Sequence, residues 1–134
     1  MKVWTNGCFD ILHRGHIELF KFCKILAGED GEVIVGIDSD NKVRKDKGKT
    51  RPINSLEDRM AVLYSSIFID KVIPFDTSNE LDKTIKWIRP HVIVIGSDWK
   101  DKDVIGQSHT DKVIFFDRIG DYSTTKILES KWLD

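Results

Sequence analysis

The sequence predicts an open α/β fold: a parallel sheet of about five strands with helices on both faces. Three observations predict it. Val33-Ile34-Val35-Gly36-Ile37 and Val92-Ile93-Val94-Ile95 are almost continuously apolar and β-branched, as strands buried on both faces of a parallel sheet are. Segments of helical periodicity separate the strand-like runs, and right-handed crossovers between parallel strands need such helices. The polar segments that carry chemistry each follow the end of a strand run, where open parallel sheets bind ligands.

In chain order, Lys2-Val3-Trp4-Thr5 is a short strand running into the turn signal Asn6-Gly7. From Gly15 to Ala27, Ile17, Phe20, Cys23, Leu26 and Ala27 recur near helical spacing, with Gly28 as C-cap. The second strand, 33–37, leads through Asp38-Ser39-Asp40 into a basic loop ending at Pro52. Ser55-Leu56-Glu57-Asp58 resembles a capping box and opens a helix ending near Phe68, with Leu56, Met60, Leu63, Tyr64 and Ile67 as its core face. Val72-Ile73 before Pro74 forms a third strand. Thr77-Ser78-Asn79 caps a helix through Leu81, Ile85 and Ile88, stopped by Arg89-Pro90. The fourth strand is 92–95, the fifth is Val113–Phe116, and a last helix starts at Ser123-Thr124-Thr125. This is a Rossmann-like pattern, and 134 residues are expected to form a single domain over 1–134.

Composition narrows the function classes. Apolar content of 40% and charged content of 32% suit a soluble globular protein. No apolar run approaches the ~20 residues that span a bilayer, and the N-terminus does not read as a signal peptide. We therefore expect a cytoplasmic protein without a membrane partner. A net charge of −1 gives no global reason to expect nucleic-acid binding. Cations are concentrated locally: residues 41–51 hold Lys42, Arg44, Lys45, Lys47, Lys49 and Arg51 against the single anion Asp46. Cys8 and Cys23 make neither a disulfide framework nor a zinc site. His91 and His109 fall in no motif and are read as structural or surface residues.

The segment Gly7-Cys8-Phe9-Asp10-Ile11-Leu12-His13-Arg14-Gly15-His16 carries the strongest chemical signal. A helix N-terminus offers unpaired amides and a partial positive charge to an anion. Gly15 leaves room between two imidazoles, each able to donate an N–H to a phosphoryl oxygen as charge develops. The bland alternative is two ordinary histidines near a helix start.

This segment, following a strand, resembles the signature of the HxGH nucleotidylyltransferases, especially the cytidylyltransferase-like family. Lys47-Gly48, Arg51-Pro52-Ile53-Asn54 and Leu56-Glu57-Asp58-Arg59-Met60 resemble the adenylyltransferases that activate heptose 1-phosphate. Gly96-Ser97-Asp98-Trp99 is closer to glycerol-3-phosphate cytidylyltransferases. Arg118 with Ser123-Thr124-Thr125-Lys126-Ile127 is similar to a C-terminal motif that both share, although Asp121 between them departs from the family pattern.

The resemblance implies a single nucleotidyltransferase domain in which a small phosphorylated substrate attacks the α-phosphorus of ATP or CTP. Pyrophosphate leaves, and Mg²⁺ accompanies the triphosphate. It implies catalytic roles for His13, His16 and Lys47. Nucleotide contacts are implied for Gly7, Cys8, Phe9, Asp10, Gly15, Arg59, Asp98, Arg118, Ser123, Thr124 and Thr125, and substrate contacts for Arg44 and Arg51. From the residues alone Asp10 is either a turn residue or a contact to nucleotide or metal, and Asp38 and Asp40 compete for one acidic role. ATP with a heptose 1-phosphate is the leading pair, and CTP with glycerol 3-phosphate or another small phosphorylated alcohol is the alternative. A non-catalytic nucleotide-sensing module is the alternative of another class, and a homodimer is common in the family.

Overall fold

The structure is a computed structural model and describes residues 1–117 together with Gly120 and Ser123. The elements run β1 (Lys2–Gly7), α1 (Arg14–Ala27), β2 (Glu32–Asp38), α2 (Asp40–Lys47), α3 (Leu56–Tyr64), β3 (Lys71–Phe75), α4 (Ser78–Ile88), β4 (Val92–Gly96) and β5 (Lys112–Phe116). Among the described residues the strands form one sheet, ordered β3-β2-β1-β4-β5, in which every paired neighbour is parallel. The Rossmann-like α/β expectation therefore holds. The final helix expected from Ser123, with Arg118, Thr124 and Thr125, lies outside the described residues.

Alternation along the central strands splits the core into two layers. Val33, Val35, Ile37, Val92 and Val94 face the layer of α1 and α3, with Phe20, Cys23 and Leu63. Trp4, Ile34, Ile93 and Ile95 face the layer of α4, with Leu81, Ile85 and Ile88. Both sheet faces are covered, which is why these strands have little polar alternation.

β1 pairs with β2 along its whole length, from Lys2 opposite Glu32 to Gly7 opposite Ile37. Its pairing with β4 covers only Val3 with Val92 and Trp4 with Ile93. Beyond those pairs the carboxyl ends of β1 and β4 part, and a crevice opens where the strand order reverses.

Three expectations are corrected. The basic segment is helical through Lys47 rather than a loop. Ser39 accepts the Lys42 N–H as N-cap, Lys42 and Asp46 pair at 2.7 Å, and Arg44, Lys45 and Lys47 occupy the last turn, where the dipole favours cations. Buried Val43 anchors this helix to the protein. The second correction concerns α3, which ends at Tyr64. Tyr64 and Ile67 are 54% and 85% exposed, whereas Arg59 is 1% exposed. Ile67 lies past the helix end, so helical spacing no longer places it on the core side. The third is β3, which continues through Pro74 to Phe75; an edge strand tolerates proline because one side of its ladder is unpaired.

Candidate active site

The turn between β1 and α1 is tightly wound. Phe9 and Ile11 have φ of 50° and 63°, a conformation that side chains, and β-branched ones above all, rarely adopt. Burial of Phe9 helps hold the turn, with ring contacts to Phe20 at 5.2 Å and to His16 at 5.5 Å. Phe9, expected on the nucleotide, thus places its side chain in the core and buttresses the His16 ring.

His13 is the N-cap of α1 and His16 is its third residue. The Gly15 N–H donates to His13 Nδ1 at 3.1 Å, and the His13 N–H donates to His16 Nδ1 at 3.1 Å. This corrects the picture of open helix amides meeting a phosphate: the Gly15 amide is taken by an imidazole, and the His16 amide by the His13 carbonyl. The consequence is a fixed tautomer. A ring nitrogen that accepts a hydrogen bond carries no proton, so each neutral imidazole has its N–H at Nε2. The rings stack with centroids 3.8 Å apart and planes at 27°. Burial, reinforced by His13 and Lys47, lowers the His16 pKa to about 4. His16 is therefore a neutral Nε2–H donor near pH 7.

That shift has a consequence for stability. In the unfolded chain histidine titrates near 6.5, above the folded value of about 4, so the unfolded state takes up the proton first as pH falls. The His16 contribution is intact above about pH 6.5 and is lost progressively toward pH 4, where the loss reaches roughly 3 kcal/mol. Urea unfolding of wild type and His16→Gln between pH 7.5 and 4 should show the wild type losing more stability by that amount. A gap that does not change with pH would refute it.

Asp10 and Arg59 both prove to be enclosed. Asp10 is 2% exposed, and its carboxylate accepts from the Ile53 N–H, the Asn54 N–H at 3.0 Å and Asn54 Nδ2 at 3.3 Å, with Arg51 Nε 3.7 Å away. Arg59 donates to the carbonyls of Asn54 (3.0 Å), Cys8 (2.9 Å) and Asp38 (2.8 Å), and to Asp40 Oδ1 (2.7 Å). Neither side chain faces open space. Together they tie the segment 51–54, the β1 turn, the end of β2 and the start of α2 into one unit, and Arg51 is drawn into the same cluster. The competition between Asp38 and Asp40 is also separated, because Asp40 binds Arg59 while Asp38 lines a cleft.

That cleft, of about 320 Å³, lies at the carboxyl edge of the sheet on the α4 side. Phe75, Leu81, Ile95 and Ile105 give it an apolar lining, with Trp99 beside them. Asn6, Gly7, Cys8, Asp38, Lys42, Asp46 and Lys47 add polar groups. Burial raises the Asp38 pKa against the pull of Lys42, Arg59 and Lys47. For Lys42 burial opposes the charge, but the hydrogen bond to Asp46 and the field of Asp38 outweigh it and its pKa rises. Burial pushes the Cys8 thiol up despite Lys47 and Arg59, and pushes Cys23 up to about 12; neither is a ready thiolate. Lys47 lines the cleft and also acts on His16, so one cation links the cleft to the histidine pair.

The remaining candidates are more dispersed. Arg44 is exposed and donates to Asn41 Oδ1 at 3.1 Å. Asp98 is exposed beside Trp99 on a short helical turn after β4, and Ser123 is half-buried. His91 accepts the Lys2 N–H at Nδ1, and His109 pairs with Asp82 at 3.3 Å, both away from the cleft lining. Among the described residues no group of three or more His, Cys, Asp or Glu is placed to hold a metal ion. Among them also, no helix is long and apolar enough to cross a membrane. Asn6 and Lys42 also line the cleft and were not singled out from the sequence; the one usable signal was that Asn6 lies near the end of β1 and Lys42 shortly after β2.

A family model described as cytidylyltransferase-like matches residues 4–130. The bifunctional protein HldE of Campylobacter jejuni subsp. doylei is 43% identical over 128 residues, covering 95% of this chain and 27% of that protein. HldE of Helicobacter hepaticus is 41% identical over 131 residues, covering 96% and 26%. The chain thus spans about a quarter of the length of these relatives. The crystal structure of the lipopolysaccharide core biosynthesis protein from Thermoplasma volcanium superposes with a TM-score of 0.69 at 28% identity. That match covers 92% of this chain and 98% of the other.

Proposed function

Because the chain belongs to the cytidylyltransferase-like family, we propose that it is a nucleotidyltransferase that joins a nucleoside monophosphate to a small sugar or polyol phosphate. A phosphate oxygen of the acceptor attacks the α-phosphorus of the triphosphate, a new phosphoanhydride bond forms, and the bond to pyrophosphate breaks. The acceptor phosphate is already ionised near neutral pH, so the chemistry needs no protein base. Catalysis then rests on positioning and on stabilising the negative charge that develops.

One observation carries this reading: two stacked imidazoles locked as Nε2–H donors at a helix start, with Lys47 acting on His16 and reaching the adjoining cleft. A neutral donor and a cation suit phosphate oxygens, whereas a nucleophile would need a base beside it. A volume of about 320 Å³ is at the small end of ligand pockets, so we place the acceptor there. The nucleotide then extends toward Asp98 and Ser123. Mg²⁺ would arrive on the triphosphate oxygens and reduce their charge.

ATP with a heptose 1-phosphate is the preferred pair. It is supported by the resemblance of residues 47–60 to heptose adenylyltransferases, by relatives named HldE, and by a structural neighbour from lipopolysaccharide core biosynthesis. We extend the reading to residues 1–134 as one nucleotidyltransferase domain acting in the cytoplasm.

The test is pyrophosphate release with ATP and CTP against a panel of phosphorylated small molecules, with heptose 1-phosphate and glycerol 3-phosphate as the key arms. No release with any pair would overturn the enzyme reading. Lys47→Ala should lower kcat/KM for the acceptor about 10–100-fold, the range for a hydrogen bond to a charged group. An unchanged value would remove Lys47 from the mechanism.

A further inference from the structure

We propose that Asn6 reads a hydroxyl group of the acceptor through its side-chain N–H, and that buried Trp4 is the positioning residue that sets its orientation. The inference rests on the reading above, in which the acceptor occupies the cleft.

Trp4 and Asn6 are two apart on β1 and so project to the same face of the sheet. The Trp4 indole is 0% exposed, and its Nε1–H donates to Asn6 Oδ1 at 2.8 Å. An indole nitrogen can only donate, so it selects the carboxamide oxygen and leaves the NH₂ as the remaining polar group of Asn6. The indole itself is held against Gly36, where an added Cβ would lie 2.4 Å from Trp4 Cζ2. It sits in the apolar layer with Ile34, Phe75 and Ile85. A surface asparagine can flip its amide; this one is fixed from below as a donor.

Asn6 borders the same cleft as Asp38 and Lys47. The acceptor's phosphate is served by cations, which a neutral amide cannot replace. A hydroxyl both donates and accepts. Asn6 supplies a donor to its oxygen, and the Asp38 carboxylate on the neighbouring strand end supplies an acceptor for its proton. The cleft is therefore built for a hydroxylated acceptor, a sugar or polyol phosphate, rather than for a phosphorylated amine or a bare phosphate.

Asn6→Ala, Asn6→Asp and Trp4→Phe are compared with wild type, using heptose 1-phosphate and ATP, or glycerol 3-phosphate and CTP if the wild type prefers that pair. Asn6→Ala should raise KM for the acceptor about tenfold, with kcat and the KM for nucleotide within twofold. Asn6→Asp should raise it further, and Trp4→Phe should move it in the same direction. By NMR, the Asn6 side-chain NH₂ resonances should shift on titration with the acceptor alone. The Trp4 Nε1–H resonance should shift in ligand-free Asn6→Ala, a readout that does not depend on Trp4→Phe folding. An active wild type whose Asn6→Ala variant keeps its acceptor KM, or loses nucleotide KM instead, overturns the proposal and leaves the function standing. A wild type without turnover on any pair, with Asn6 resonances unmoved by acceptor, overturns both.

Discussion

Replacing His16 with alanine is expected to lower kcat by about 10²–10³-fold, the cost of removing one preorganised donor to a developing oxyanion. The donor is preorganised because His16 Nδ1 already accepts the His13 N–H, which assigns its proton to Nε2. It is also neutral, with a pKa of about 4, so Nδ1 stays without a proton and keeps accepting the His13 N–H. Two roles are combined in this residue, since alanine also removes the acceptor that caps the His13 amide. His16→Gln separates them. Glutamine at the third helical position is an ordinary partner in a capping box, so its oxygen can restore the cap and the thermal stability. Its amide, flexible and not held by a ring, should recover only part of the rate. Single-turnover measurements of all three proteins check this, and a His16→Ala variant with wild-type kcat would rule out the role.

Arg59→Leu should destabilise the fold by about 3–5 kcal/mol, because several enclosed carbonyls lose their donor at roughly 1–3 kcal/mol each. The guanidinium is 1% exposed and serves the carbonyls of Cys8, Asp38 and Asn54 as well as Asp40. Leucine leaves all four acceptors without that donor; Asp40, whose side chain is 38% exposed, can turn to water, so the loss falls on the three carbonyls. Arg59→Lys should recover little, because an ammonium cannot reproduce a planar fork with donors in several directions. Urea unfolding measures the effect, and a loss below about 1 kcal/mol for Arg59→Leu would contradict it. Total stabilities of domains this size are only ~5–15 kcal/mol. The variant should accordingly be weakened throughout the turn 8–13, and hydrogen exchange at those amides reports it.

Much of the architecture was legible in the sequence because one physical rule governs it. Val33–Ile37 and Val92–Ile95 must be apolar on both sides to sit in a covered parallel sheet, and few other structures need that pattern. The helix over Asp40–Lys47 was harder to read. Its single buried anchor, Val43, is surrounded by charges, so the hydrophobic period that normally announces a helix is missing. Its markers were instead the Ser39 cap and the cations of the last turn. In α3 the reading of apolar spacing placed Tyr64 and Ile67 inside. The helix ends before that spacing completes, and the space on its inner side is taken by Arg59.

The sequence by itself determined the fold class, the order of the strands, the helices other than α2, and the Gly7–His16 motif at the start of α1. Periodicity and the Gly7–His16 segment are local properties, written within a few turns of chain. Only the tertiary structure decided how the polar residues divide their work. Asp10 and Arg59 became internal ties because their partners come from residues 38–54, and from Cys8 for Arg59. Asp38 rather than Asp40 reached the cleft because α2 turns Asp40 back onto Arg59. Asn6 became a fixed donor because an indole beneath it claims its oxygen. Which lone pair or proton a side chain has left to offer depends on the partners that the rest of the fold brings to it, and linear spacing does not encode them.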